Sequence, residues 1–303
     1  MAKKVFISYC HRQGDWVWER LVPCLRYGGA EVLIDKERFQ AGKAVAGQMN
    51  TVQDRADLSL LVLSPDYLTS NYCIHEMDRA IAKDPTFQYG KTIPVLRLAC
   101  SLPAQITQHN PIYVDLQDDK NSQQWDRLLR SCKADLGCAM PDWLQARDDI
   151  VRFLNRNDSV NLVVSGHPKY HELIQHIKED YLPDLGIIDL ESGATASRRG
   201  LVAEILKVCC SPAQVPADDE DLVVLNRILN ERNLSRLAIE RFDLVVGRKS
   251  YGVDLFAALR NLIQTTHKLI VLIQSRKPFS ALLPKDHPLS PLDLKTVELK
   301  GRK

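Results

Sequence analysis

Residues 58–77 read Leu58-Ser-Leu-Leu-Val-Leu-Ser-Pro-Asp-Tyr-Leu-Thr-Ser-Asn-Tyr-Cys-Ile-His-Glu-Met77. The first six residues form an apolar run of strand length, and Ser64-Pro65 breaks it. A short polar turn follows. A helix is then predicted over residues 74–83, with one carboxylate, Glu76, on its first turn. An acid at the carboxyl end of a buried strand stands where open α/β sheets keep their ligands.

Working outward, Val5-Phe-Ile-Ser-Tyr9 reads as a buried first strand. Val17, Leu21, Cys24 and Leu25 recur at helical spacing between Trp16 and Tyr27, and Gly28-Gly29 supplies a stop. Glu31-Val-Leu-Ile-Asp35 is a second strand ending in an acid. A glycine-containing loop, Phe39 to Gly47, leads to a helix over residues 45–56. Short strands are predicted at Thr92–Leu96 and Ile112–Asp115, and an amphipathic helix over Gln123–Leu136. This alternation predicts a mostly parallel sheet with helices on both faces.

Gly137-Cys-Ala-Met-Pro-Asp142 interrupts the pattern, and the domain boundary is placed at residues 138–150, giving domains 1–140 and 141–303. A second β-α cycle follows. Its strands are Asn161–Ser165, Gly186–Leu190, Leu237–Glu240 and Lys268–Ile273. Its helices are Trp143–Asn155, Tyr170–Tyr181, Gly200–Cys209, Leu222–Glu231 and Leu255–Ile263. Ser211–Pro216 is a loop, and the mildly basic Lys295–Lys303 reads as a solvated tail.

The 303 residues suffice for two domains of ordinary size. The 40 basic and 38 acidic residues leave a net charge of +2, which gives no global argument for a nucleic-acid or membrane partner. No apolar run reaches the about 18 residues of a membrane span. The eight cysteines contain no Cys-x-x-Cys pair and no zinc spacing, so no metal is expected and a cytoplasmic location with free thiols is the default.

Taken in order, the motifs of the first half resemble a Toll/interleukin-1 receptor (TIR) domain over residues 1–136. They are Val-Phe-Ile-Ser-Tyr9 with Asp15 and Trp16, Asp35 followed by Gly42, the Leu-Leu-Val-Leu-Ser-Pro-Asp-Tyr67 run, and Ser70-Asn-Tyr-Cys-Ile-His-Glu76. Tyr72 departs from the Trp that many members carry before this Cys, and keeps an aromatic plate. The resemblance implies a flavodoxin-like fold with a central parallel sheet. It also implies one of two activities. Some members only assemble partners through TIR–TIR contacts. Others, of a bacterial NADase type linked to antiphage defence, cleave NAD+ at the nicotinamide–ribose bond with a glutamate at the position that Glu76 matches. In such members self-association completes the site.

Plain chemistry suits the second class. Nicotinamide leaves NAD+ as a neutral molecule, so no general acid is required. One carboxylate then suffices where most glycosidases use two. Glu76 is the expected catalytic residue, and hydrolysis and cyclisation remain alternative outcomes. NAD+ is a substrate here, and no cofactor is expected. For substrate binding the expected residues are Phe6, Ser8 and Tyr9 at the first strand's end, Arg12 in the following loop, Phe39 and Lys43 in the glycine loop, and Tyr72. Taken alone, Glu76 also reads as a helix N-terminal acid favoured by the macrodipole. Asp35 reads as structural, Cys73 as a small buried thiol, and His75 as facing away from Glu76.

The second half is similar to an AAA/STAND ATPase core that has lost its phosphate chemistry. Asn161-Leu-Val-Val-Ser-Gly-His-Pro-Lys-Tyr170 has the shape of a P-loop start without its glycines or its Lys-Ser/Thr pair. Arg241 stands where the catalytic acid of a Walker B stretch is expected. The expectation is a lidless, three-layer, degenerate ATPase-like α/β domain that regulates, senses or self-associates. Lys169, Arg198 and Arg199 read as solvated charges, and His267 as an edge histidine.

Overall fold

The computed structural model describes residues 2–34, 51–210, 222–231 and 234–302. Asp35, the loop Phe39 to Gly47, and the loop Ser211 to Pro216 lie outside the described residues. The chain divides into two compact units, Met1–Pro141 and Asp142–Lys303.

In the first unit β1 is Lys4–Tyr9. The helix α1 runs through Gly14–Trp16, Val17–Leu21 and Val22–Gly28, and its middle stretch is π-wound. That wide turn comes just before Pro23, which has no N–H to bond back and whose ring crowds the preceding turn. Gly29 ends the helix at φ 106°, a left-handed cap open to glycine. Then come β2, Glu31–Leu33, and β3, Leu58–Leu63. Next are α2, Pro65–Thr69, and α3, Asn71–Lys83. The unit closes with β4, Thr92–Leu96, the short α4, Ala104–Thr107, β5, Val114–Asp115, and α5, Ser122–Ser131. Every pairing is parallel and the order is β2-β1-β3-β4-β5. The connection from β1 runs to β2 on one side, and that from β3 runs to β4 on the other. A crevice therefore opens between the carboxyl ends of β1 and β3.

Register decides what faces that crevice. Ser8 pairs with Leu61 and Tyr9 with Val62. Leu61 and Leu63 join the apolar cluster of Tyr67, Cys73, Met77 and Ala80. Phe6 and Ser8 therefore lie on the face that α3 covers, and Tyr9 lies on the opposite face.

The second unit opens with α6, Met140–Asn155, and β6, Val160–Ser165. They are followed by α7, Tyr170–Asp180, β7, Leu185–Asp189, and α8, Arg198–Cys209. Then come α9, Leu222–Glu231, β8, Ser235–Glu240, and α10, Gly252–Arg260. Last are β9, Leu269–Ser275, α11, Phe279–Leu282, and β10, Lys295–Lys300. The sheet is again all parallel, in the order β10-β6-β9-β8-β7. Its switch point falls between β6 and β9, because their outgoing connections diverge. The expected fold class, two α/β units built on parallel sheets, is the one observed.

The C-terminal stretch differs from expectation. Residues 295–300 are not a solvated tail but an edge strand paired with β6 from Lys295↔Val160 to Lys300↔Ser165. Val297 and Leu299 point inward and their neighbours outward, a two-residue alternation that suits a half-covered strand. Gly301 then passes against the loop after β6, where a Cβ would stand 2.7 Å from the His167 nitrogen.

Candidate functional site

Two capped turns build the crevice of the first unit. Ser64 ends β3 in an extended conformation, and its hydroxyl accepts from the Tyr67 N–H at 3.1 Å. Pro65 occupies the first helical position, where a missing N–H costs nothing. The segment expected as a polar turn is therefore the short helix α2, and it drives Tyr67 inward. Ser70 breaks α2 and caps α3 by accepting from the Cys73 N–H at 3.4 Å. Because α3 starts at Asn71, Glu76 sits on its second turn and not its first. The helix-dipole reading of this acid weakens accordingly, since that field fades within one turn.

Glu76 belongs to the buried stripe Cys73, Glu76, Met77 and Ala80 of α3. It is only 5% exposed. A carboxylate in such a place must be hydrogen-bonded. Ser8 meets the need: its Oγ donates to Glu76 Oε2 at 2.6 Å. Ser8 Oγ also lies 2.7 Å from the Tyr67 hydroxyl, and both residues have 0% exposure. Burial pushes the Tyr67 phenol well above its usual range, against the effect of the Ser8 hydrogen bond, and the Glu76 charge adds to the rise. Behind the helix, Gln53 Nε2 donates to the backbone carbonyl of Glu76 at 2.9 Å.

The structure brings Ser8 and Glu76 together. Phe6 shares their face of the sheet but is fully covered. Tyr9, expected in the same crevice, points to the other face, where its hydroxyl accepts from Trp18 Nε1 at 3.1 Å. Successive strand residues alternate faces, so Ser8 and Tyr9 do not line one crevice. Arg12 is solvent-exposed and ion-pairs with Asp66 at 2.7 Å. Tyr72 is 58% exposed and lies one turn before Glu76 on α3. Phe39 and Lys43 lie outside the described residues. Tyr67, which meets Ser8, is a motif residue in the sequence but not among the expected site residues, and Gln53, which holds the Glu76 carbonyl, is not singled out there.

The second unit carries a cleft of about 530 Å³ at the carboxyl ends of β6, β8 and β9, lined among others by Ser165, Tyr170, Arg241, Gln274 and Arg276. Arg241 stands just beyond β8 in the left-handed region, φ 57° and ψ 42°. Its N–H donates to Gln274 Oε1 at 2.7 Å. Its guanidinium ion-pairs with Asp189 and Glu191. Burial alone would raise the Asp189 carboxyl, but the Arg241 hydrogen bond and charge hold it below its usual value. Glu240, fully buried, accepts from His171 Nδ1 at 2.9 Å if that nitrogen carries the proton, and burial raises its carboxyl against that partner. Asp189 and Glu191 are thus engaged by the Arg241 guanidinium, and Glu240 lies against His171. Among the described residues no group of three or more His, Cys, Asp or Glu could hold a metal ion. No helix among them is long and apolar enough to cross a membrane.

Residues 5–129 match the family model described as TIR domain. With the β2-β1-β3-β4-β5 sheet, this match makes the N-terminal unit a TIR domain. Human Toll-like receptor 1 is 31% identical over 98 residues, 32% of this chain and 12% of the receptor. Toll-like receptor 6 of Bos taurus is 29% identical over 72 residues, 24% of this chain and 9% of the receptor. The chain therefore spans about a tenth of the length of these curated relatives. Among solved structures, the TIR domain of a Toll-related receptor from Hydra magnipapillata is similar at 22% identity, covering 43% of this chain and 97% of that one, with a TM-score of 0.38. A Walker-type ATPase of Pyrococcus abyssi is similar at 12% identity, covering 52% of each chain, with a TM-score of 0.37.

Proposed function

We propose that the N-terminal unit is an NAD+ nucleosidase and that Glu76 is its catalytic residue. The supporting observation is a buried carboxylate, held by Ser8, at the switch point of a parallel sheet. In the reaction the C1′–N bond of the nicotinamide riboside breaks and its electron pair stays on the ring nitrogen. Nicotinamide leaves neutral, and positive charge develops on the ribose. A fixed carboxylate beside that ribose stabilises the charge more than the ground state, which is the requirement for catalysis. Water then attacks C1′ and releases a proton, giving ADP-ribose. Attack by an adenine nitrogen gives the cyclic product instead. Tyr72, exposed one turn away, supplies an aromatic face at the approach to Glu76.

TIR domains commonly self-associate, and the activity proposed here requires a second copy to complete the site. A defence role in a bacterial host accords with this reading, with the second unit as the regulatory or oligomerising part. The experiment is release of free nicotinamide by a concentrated sample of the 303-residue chain, beside Glu76→Ala. Loss of turnover in a folded, still associating variant supports the enzyme. Equal turnover in the two sinks it, and no turnover in either under assembled conditions favours a non-enzymatic scaffold acting through TIR–TIR contacts.

A further inference from the structure

Ser8 has one hydroxyl proton and two polar neighbours, and this fixes the direction of the chain of hydrogen bonds around Glu76. An ionised carboxylate only accepts. The 2.6 Å contact to Glu76 Oε2 therefore takes the Ser8 proton. The 2.7 Å contact to Tyr67 must then run the other way, with the phenol donating to Ser8 Oγ. Nothing else is consistent with a neutral phenol, and complete burial keeps Tyr67 neutral.

We propose that Tyr67 and Ser8 form a two-hydroxyl relay, Tyr67 to Ser8 to Glu76, whose function is to position the Glu76 carboxylate and keep it ionised. The proposal rests on the reading of Glu76 as the catalytic residue, and it moves Ser8 from substrate contact to positioning. Three elements meet at the relay: β1 supplies Ser8, α2 supplies Tyr67 and α3 supplies Glu76. The α2 helix, opened by Ser64-Pro65, brings the Tyr67 phenol against Ser8 near the end of β1. Each bond in such a chain polarises the next, so Tyr67 makes Ser8 a stronger donor to the carboxylate.

Cys73 and Asp78, both on α3, act on Tyr67 together with Glu76. Behind α3, Arg79 Nε donates to Gln53 Oε1 at 3.2 Å and Arg79 Nη2 meets Asp54 at 2.8 Å. Lys83 also pairs with Asp54, at 2.9 Å. In these contacts neither cation is bonded to the Glu76 carboxylate, whereas Ser8 Oγ donates to it at 2.6 Å.

The test uses Ser8→Ala, Tyr67→Phe and their combination in the full chain, with steady-state NAD+ cleavage as a function of pH. Ser8→Ala is expected to lower kcat about tenfold with KM nearly unchanged, and to move the acid limb up by about one pH unit, as for loss of one hydrogen bond to a charged group. Tyr67→Phe is expected to do the same by a smaller factor. In the Ser8→Ala background, Tyr67→Phe is expected to have no further effect on the limb, because Tyr67 acts through Ser8. Ser8→Thr, which keeps the hydroxyl, is expected to retain the limb. Additive shifts in the double variant, or unmoved limbs in both single variants, overturn the relay.

A second readout needs no activity. Glutamate labelled with 13C at Cδ gives a resonance identified by its loss in Glu76→Gln, and its titration is expected to move up in Ser8→Ala and Tyr67→Phe. If Glu76→Gln still cleaves NAD+, the enzyme reading of Glu76 fails, while the titration still decides the relay. If Glu76→Gln is inactive and the titration is unmoved, the relay fails and the enzyme reading stands. Should Ser8→Ala not fold, Tyr67→Phe removes one oxygen atom only and carries both measurements.

Discussion

Gln53 holds the backbone of α3 at Glu76: its Nε2 donates to the Glu76 carbonyl at 2.9 Å, while Arg79 Nε donates to its Oε1 at 3.2 Å. Gln53 is buried, and the same turn is fastened further along by Lys83 Nζ on the Gln53 carbonyl at 2.8 Å. One amide thus ties the residues before β3 to the middle of the helix that carries the acid.

Gln53→Leu is expected to destabilise the first unit by about 1–2 kcal/mol, because it removes the amide's two hydrogen bonds, to the Glu76 carbonyl and from Arg79 Nε, at a buried position. It is also expected to lower NAD+ turnover through looser placement of Glu76, with the proposed reaction unchanged in product. Urea unfolding followed by tryptophan fluorescence checks the first expectation. A midpoint equal to that of the native chain would show that the clamp contributes nothing.

Arg241 combines a left-handed backbone with a pair of acids, and the two features oppose each other on substitution. Arg241→Ala loses the ion pairs with Asp189 and Glu191 and keeps the backbone cost of a Cβ at φ 57°. Arg241→Gly loses the same pairs but relieves that cost, which is about 1 kcal/mol. The glycine variant is therefore expected to be the more stable of the two, the reverse of the usual order. The guanidinium is 38% exposed, so both losses are tempered by solvent. Thermal unfolding of the two variants side by side decides the matter, and an alanine variant equal to or above glycine would refute the role assigned to the backbone.

Fold class was legible because β3 and β9 are apolar runs of strand length, and because helical spacing separates them from their neighbours. Glu76 is singled out because it follows the end of the apolar β3 run and closes the Ser70-to-Glu76 motif of the TIR resemblance. What failed was local punctuation. Ser64-Pro65 reads as a break leading into a turn, although a Ser cap with Pro in the first position starts a helix as readily. Ser70 does the same for α3, and missing it put Glu76 one turn too early. Lys295 to Lys300 was read by charge, while Val297 and Leu299 carried the two-residue period of a strand. Tyr67 was legible only as the end of the Ser-Pro-x-Tyr motif, not as a partner of Ser8, and Gln53 was not legible at all. Their bonds reach across 59 and 23 residues, and the first depends on the register that sets Ser8 opposite Leu61.

His176 supplies a pH dependence confined to the second unit. Its ring is buried on α7, stacked on Trp143 with centroids 5.5 Å apart and an interplanar angle of 14°. Tyr181 meets it edge-on at 5.5 Å, and Asp180 Oδ2 stands 2.7 Å from Nδ1. Burial lowers its pKa to about 4, against the pull of Asp180, with Arg147 adding to the depression. The folded state therefore releases a proton that the unfolded chain still holds between about pH 4 and its ordinary value near 6.5. The unfolded state binds more protons in that window, so stability rises with pH there. Lowering the pH from 7 towards 4 is expected to cost the second unit on the order of 2–3 kcal/mol, as follows from a depression of that size. His176→Phe keeps an aromatic ring against Trp143 and removes the titration, so its stability is expected to be flatter over the same window. Urea midpoints at several pH values, read through the Trp143 part of the fluorescence change, test this. Parallel pH curves for the native chain and His176→Phe would assign the acid sensitivity to other groups.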